Sequence, residues 1–246
     1  MPKKVPNANA PSENGANVGH DSPFRHMAGR LHADQANNDG TQNDVRTPTF
    51  LDLFCGVGGF TLGMIRSGLR CLAAIDRDPV AITTLRTNLD ERNDLGMPGV
   101  THALERDLKK FKSDQLAALI GTNRVDVIVG GPPCQGFSTA RQVDGANHGV
   151  RLKRDPRRNL YREFLRYVEF FQPRVFVIEN VLGFRSAADG KYLTRIHHEA
   201  RRLGRGNGQQ GYRVHGQIED AWELGVPQKR RRQLIIGVRA EPFMLR

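Results

Sequence analysis

Cysteine is scarce: Cys55, Cys71 and Cys134 are the only three in 246 residues. An odd, widely spaced set excludes a disulfide framework and suits a reducing compartment. With His197 and His198 adjacent rather than a helical turn apart, no metal-ligand cluster forms either, and no metal is expected. No apolar run is long enough for a membrane span, and the amino terminus lacks the basic and apolar regions of a secretory signal. Also missing is a Gly-Lys-Ser/Thr behind any glycine turn, which excludes a phosphate-binding P-loop. These absences lead us to expect a soluble, cytoplasmic chain, long enough to bury a full core.

Acidic residues are outnumbered, 26 against 37 Lys and Arg, for a formal charge of +11. The excess is not spread evenly. In residues 1–47, Lys3, Lys4, Arg25, Arg30 and Arg46 are cancelled by Glu13, Asp21, Asp34, Asp39 and Asp44. All of the excess therefore falls on residues 48–246, and a domain this basic suits a polyanion, nucleic acid above all. Residues 1–47 are rich in Asn, Gly, Ala, Asp and Gln and lack apolar periodicity, so they read as a disordered leader. A weak helix signal spans Arg25–Gln35, and order is expected from about Thr47-Pro48 onwards.

Thr49 to Phe54 reads as a first strand, running into Cys55-Gly56-Val57-Gly58-Gly59 and then a helix from Phe60 to Ser67 closed by Gly68. Strand, glycine turn and helix together make a nucleotide-binding arrangement, although Thr61 stands where a third glycine would complete the dinucleotide fingerprint. Arg70 to Ile75 is a second strand ending in Asp76, an acid placed to meet ribose hydroxyls. Asp107 follows in Glu105-Arg106-Asp107-Leu108, as a loop or helix-capping aspartate or as a partner for an adenine amino group. The three features in order point to an adenosyl ligand.

Ser113–Ile120 reads as a helix and Arg124–Ile128 as a strand that delivers Val129-Gly130-Gly131-Pro132-Pro133-Cys134-Gln135-Gly136-Phe137-Ser138. Glycines and prolines stop the ladder and present one sulfur at the carboxyl end of a strand, where α/β sheets keep their ligands. Thr139–Arg158 is polar and basic, with Arg151, Arg154 and Arg157, and reads as a mobile lid that meets phosphates. Leu160–Phe171 is an amphipathic helix with Leu160, Phe164, Val168 and Phe171 on its core face. Arg174–Ile178 is a buried strand tipped by Glu179-Asn180-Val181, and a helix over Lys191–Leu203 follows. Tyr212–Ile218 reads as a strand, then Gln228-Lys229-Arg230-Arg231-Arg232, then a last strand over Leu234–Val238. Alternation puts Arg230 and Arg232 on one face.

With these motifs in this order over residues 49–239, the chain resembles the cytosine-C5 DNA methyltransferases. Asp52 to Gly59 resembles their cofactor loop, Gly131 to Ser138 their nucleophile loop, Glu179-Asn180-Val181 their acid motif, and Gln228 to Arg232 their Gln-x-Arg-x-Arg motif. The resemblance implies a Rossmann-like α/β fold with a doubly wound, mostly parallel sheet. It makes S-adenosylmethionine the methyl donor and S-adenosylhomocysteine the product. Cys134 is then the thiolate that adds to C6 of cytosine, Glu179 holds the ring at N3, and Arg232 with Arg230 contacts O2 and orients Glu179.

By the same resemblance Phe54, Gly56, Val57, Gly58 and Gly59 surround the cofactor's methionine and sugar, with Asp76 and Arg77 at the ribose and adenine. Asp107 and Leu108 meet the adenine edge, and Pro133 and Leu160 line the pocket. Gln135, Ser138 and the lid arginines face double-stranded DNA, whose target base must be flipped out. Arg77 departs from the large apolar residue common there in the family. No target-recognition domain or late Asn-containing cofactor motif follows the arginine motif. The resemblance therefore implies a catalytic domain over residues 48–246 served by a second polypeptide for target recognition. A tRNA cytosine methyltransferase and an inactive nucleic-acid-binding remnant are the alternatives.

Overall fold

The computed structural model describes residues 46–89, 99–133, 159–182, 191–205 and 211–240, with backbone only at Lys191 and Tyr192. They belong to one compact unit that begins at Arg46, close to the expected boundary. Residues 1–45 of the leader, its weak helix signal and the lid lie outside the described residues, as do Cys134, Gln135, Ser138, Arg151, Arg154 and Arg157.

Seven strands form one sheet in the order β3-β2-β1-β4-β5-β7-β6: β1 (Thr49–Leu53), β2 (Arg70–Asp76), β3 (Ala103–Glu105), β4 (Val127–Gly130), β5 (Val175–Val181), β6 (Tyr212–Asp220) and β7 (Arg231–Arg239). The first five pair in parallel, whereas β7 runs antiparallel to both β5 and β6. The helices are α1 (Gly59–Arg66), α2 (Pro79–Leu89), α3 (Ser113–Ile120), α4 (Leu160–Phe171) and α5 (Lys191–Arg202), with a 3₁₀ turn over Ala221–Leu224. This is the expected doubly wound α/β sheet. Every residue of β1 and β4 is buried, as befits central parallel strands covered on both faces.

The chain starts in the middle at β1, moves out to β2 and β3, then returns to β4 on the other side. Its direction reverses between β1 and β4, and open α/β sheets bind ligands outside the strand ends at such a crevice. At the opposite, amino-terminal ends of β1 and β4 the Asp126 carboxylate accepts both Thr49 N–H and Thr49 Oγ1–H, at 2.8 and 2.9 Å, and pairs with Arg46 at 2.8 Å. At the far end of the same pair Leu53 lies opposite Gly130, where a Cβ would sit 2.0 Å from the Leu53 carbonyl oxygen. Only glycine lets β1 and β4 approach so closely.

The apolar face expected for α4 is its buried face, with Tyr161, Leu165 and Tyr167 added. From that helix Arg166 donates to the carbonyls of Leu108 and Phe111, at 2.6 and 3.1 Å, and Tyr167 Oη donates to the latter at 2.7 Å. Phe176 on β5 lies across Gly237 of β7, where a Cβ would be 2.0 Å from its ring, and meets Phe164 and Tyr212 edge-on.

Candidate active site

Two turns flank the crevice. After β1, backbone handedness alternates: Phe54, Gly56 and Gly58 have φ of 59°, 54° and 92°. Left-handed glycine is unstrained, but Phe54 with its Cβ costs roughly 1–2 kcal/mol there, the kind of strain that collects at binding turns. Gly56 N–H donates to Asp76 Oδ2 at 2.9 Å, and Asp76 Oδ1 accepts Asp78 N–H at 3.0 Å. Asp76 at the tip of β2 therefore shapes the turn after β1, and each of its oxygens keeps a further lone pair.

The glycines divide by role. A Cβ at Gly56 or Gly59 would meet no described heavy atom within 4 Å, so both border open space. At Gly58 it would come within 2.9 Å of Leu85 on α2, so this glycine serves close packing. Val57 and Arg77 are exposed, and Asp107 and Pro133 are half-buried. Asp107 Oδ1 accepts Lys109 N–H at 3.0 Å, which is the loop-capping use, with Oδ2 left over. Leu108 and Leu160 are core residues.

Under the glycine turn lies a buried acid. Asp52 on β1 is wholly inaccessible, and its Oδ2 accepts Thr61 Oγ1–H from α1 at 2.6 Å. Its Oδ1 has no hydrogen-bond partner among the described residues. Burial lifts the Asp52 carboxyl to about 7, against the opposing effect of the Thr61 hydrogen bonds. Thr61, which breaks the three-glycine pattern, thus ties strand to helix across the turn. The signal in the sequence was an acid inside an apolar strand and a threonine nine residues later.

Glu179 and Arg232 supply the other half of the site. Glu179 lies opposite Leu234 and Val181 opposite Arg232 in the antiparallel β5–β7 pair, so Glu179 and Arg232 are diagonal neighbours on one face. Arg232 Nε meets Glu179 Oε1 at 2.7 Å, with both side chains about three-quarters buried. The intervening Gln233 points the other way and is buried, its amide donating to the Gln217 and Leu234 carbonyls. A Cβ at Gly131 would lie 3.3 Å from Glu179 Oε2, so the carboxylate stands between Arg232 and the backbone that reaches Cys134 three residues later.

Arg230 is not brought to Glu179. It precedes β7, is exposed, and is held by its backbone: its N–H donates to Asp220 Oδ1 at 3.2 Å and its carbonyl accepts Ala221 N–H at 3.0 Å. Cys55 and Cys71 are buried, and burial, reinforced by the charge of Asp52, pushes both thiols well up. Neither is suited to be a nucleophile.

The comparisons with known proteins agree with this architecture. The model of the family "C-5 cytosine-specific DNA methylase" matches residues 48–244. The chain is 36% identical over 189 residues to the type II methyltransferase M1.HphI of Haemophilus parahaemolyticus, covering 77% of this chain and 45% of that protein. It is 34% identical over 192 residues to M.AquIA of Picosynechococcus, covering 77% of this chain and 71% of that protein. Most of the curated relatives it matches are thus about twice as long as the matched segment. Among solved structures, an E. coli prophage protein assigned as a DNA modification methyltransferase superposes with a TM-score of 0.60 at 28% identity, over 78% of this chain and 47% of that one. The S. pombe Dnmt2 methyltransferase shares the fold, with a TM-score of 0.53 at 18% identity, over 80% of this chain and 51% of that one. On the family match and the relatives together, the chain belongs to the C-5 cytosine-specific DNA methylases.

Proposed function

We propose that this chain transfers a methyl group from S-adenosylmethionine to C5 of cytosine in double-stranded DNA. The observation that carries the reading is the Glu179 carboxylate, clamped by Arg232 at 2.7 Å and set against Gly131 on the backbone leading to Cys134. The Cys134 thiolate adds to C6 of the flipped base, which makes C5 an enamine carbon able to take a methyl group. Loss of the C5 proton then expels the thiolate and restores the aromatic ring. Glu179 holds the ring at N3 and offsets the charge that builds there, and Arg232 fixes the carboxylate and reaches O2.

The glycine turn fits the cofactor. Open space at Gly56 and Gly59, left-handed backbone at Phe54, and spare lone pairs on Asp76 suit a methionine–ribose unit. When bound, the sulfonium supplies an electrophilic methyl group. Val57 and Arg77, which are exposed, and Asp107 and Pro133, which are half-buried, are available to the same ligand, and Leu108 and Leu160 lie in the core. Gln135, Ser138, Arg151, Arg154 and Arg157 contact DNA.

Residues 48–246 act as the catalytic domain, and target recognition comes from polypeptide outside this sequence, in a second chain or a continuation. The 45% share of M1.HphI that is matched supports that division of labour. Unpaired thiols and a DNA substrate favour a bacterial cytosol or nucleoid, and the type II relatives favour a place in restriction–modification.

Cys134→Ser tests the reading. Methyl transfer to DNA is abolished while duplex affinity stays within two-fold of the parent. Undiminished transfer by the variant would remove Cys134 from the mechanism.

A further inference from the structure

The carboxyl-terminal half of α5 carries a cationic face that the base pocket does not use. His198, Arg201 and Arg202 follow the i, i+3, i+4 pattern of one helical stripe, Arg205 follows just past the helix beyond a left-handed Gly204, all four are exposed, and together they line an open hollow of about 570 Å³. Arg201, Arg202 and Arg205 have no carboxylate partner among the described residues. Neighbouring arginines are treated differently: Arg162 pairs with Glu199 at 2.9 Å and Arg166 with Glu163 at 3.0 Å. Glu199 is the only acid in α5, and it turns away to Arg162 on α4. A helix carboxyl terminus favours a cation or two. It does not explain three unpaired guanidiniums walling one hollow. The Arg201 charge reaches His197, whose imidazole is lowered by burial first and then by Arg201 and His215.

The hollow is far from Glu179. A Cβ at Gly211 would lie 2.5 Å from the Arg201 carbonyl oxygen, so Arg201 sits at the start of β6, where Tyr212 pairs with Arg239. Glu219, seven residues further along β6, pairs with Arg232. At about 3.3 Å per residue the two positions are roughly 23 Å apart, with the hollow at the amino-terminal end of the parallel strands, opposite the end that carries Glu179.

We propose that His198, Arg201, Arg202 and Arg205 form a second phosphodiester site, which holds DNA backbone away from the catalytic crevice, on a far flank of the same duplex or on a second duplex. The proposal rests on DNA being the substrate.

The test is Arg201→Gln/Arg202→Gln/Arg205→Gln, with the single Arg202→Gln as a milder variant and thermal melting as the folding control. Affinity is measured against salt for a 12-base-pair and a 40-base-pair duplex, each with a central target. A 12-mer leaves about six steps on either side, too few to pass round the sheet to the hollow. For the 40-mer, the slope of log affinity against log salt falls by about 0.9 per lost contact, close to 3 in the triple variant and 1 in the single. If the backbone held is a flank of the same duplex, the 12-mer is unaffected. If it is a second duplex, the parent binds two 12-mers and the triple variant one. Initial methylation rates on saturating 12-mer are unchanged in either case. Unaltered 40-mer slopes and unaltered 12-mer stoichiometry in a folded triple variant would overturn the site while leaving the catalytic reading intact. A parent chain that binds neither duplex would defeat both.

Discussion

The buried carboxyl of Asp52 makes folding of this protein depend on pH, with a sign and size that follow from its surroundings. Its carboxyl is raised from 3.8 to about 7, chiefly by burial. A carboxyl raised on folding binds its proton more tightly in the native state, so the stabilisation is complete at low pH. It is lost as pH rises through about 7, and above that value nothing further is lost. A shift of about three units at about 1.4 kcal/mol each sets the total near 4 kcal/mol, with some 3 kcal/mol falling between pH 4.5 and 7. Asp52→Asn keeps the shape and an oxygen for Thr61 but removes the titration. Its amide nitrogen takes the place of the unpartnered Oδ1, costing about 1–3 kcal/mol at every pH. Urea unfolding of parent and variant at half-unit steps from pH 4.5 to 8.5 isolates the term, because all other carboxylates cancel in the difference. The parent is expected to lose about 3 kcal/mol relative to the variant by pH 7 and to hold steady beyond it. Curves parallel within about 0.5 kcal/mol over the whole range would refute a buried, neutral Asp52.

Other consequences can be checked more simply. Gly130→Ala forces a Cβ to 2.0 Å from the Leu53 carbonyl, and backbone cannot yield as a flexible side chain does; a loss above about 4 kcal/mol is expected by denaturant unfolding. Arg232→Gln removes the only described cation paired with Glu179. It is expected to slow methyl transfer ten- to hundred-fold, about 1.4–2.8 kcal/mol, whereas Arg230→Gln, whose side chain does not reach Glu179, costs under ten-fold; equal losses would contradict the assignment. Titrating thiols with an aromatic disulfide should show one fast-reacting group in the native protein, lost in Cys134→Ser. Cys55 and Cys71 should react only on unfolding.

Much of this was written in the residue pattern because local propensity and tertiary environment agree. The bounds read for Ser113–Ile120 and Leu160–Phe171 are those observed: the first ends at a left-handed Gly121, the second at the close of its apolar stripe. Helix α2 was not anticipated, since Val80, Ile82, Thr83 and Thr84 give it a strand-like composition. The cue was capping: Asp78 Oδ1 accepts the N–H groups of Val80 and Ala81, with Pro79 at the first helical position. Strand β3 is three residues at a sheet edge, too short for a pattern to register. β5 runs on through Val181 and β7 begins at Arg231, so Glu179 and Arg232 belong to paired strands rather than to loops beyond them. Charged residues at strand ends look like loop from the sequence, and only the antiparallel register shows them meeting. The Asp52–Thr61 bond was invisible for a related reason: its partners lie on different elements, joined by a turn whose path no propensity specifies.

The most direct test is 5-methylcytosine quantified by mass spectrometry after the purified chain is incubated with S-adenosylmethionine and unmethylated genomic DNA, alone and with a recognition domain supplied from a full-length family member. The account predicts methyl groups at C5 of cytosine in at least one of the two reactions and none with Cys134→Ser in either. Methylation by the Cys134→Ser chain, or its absence from both reactions with the folded parent chain, would contradict it.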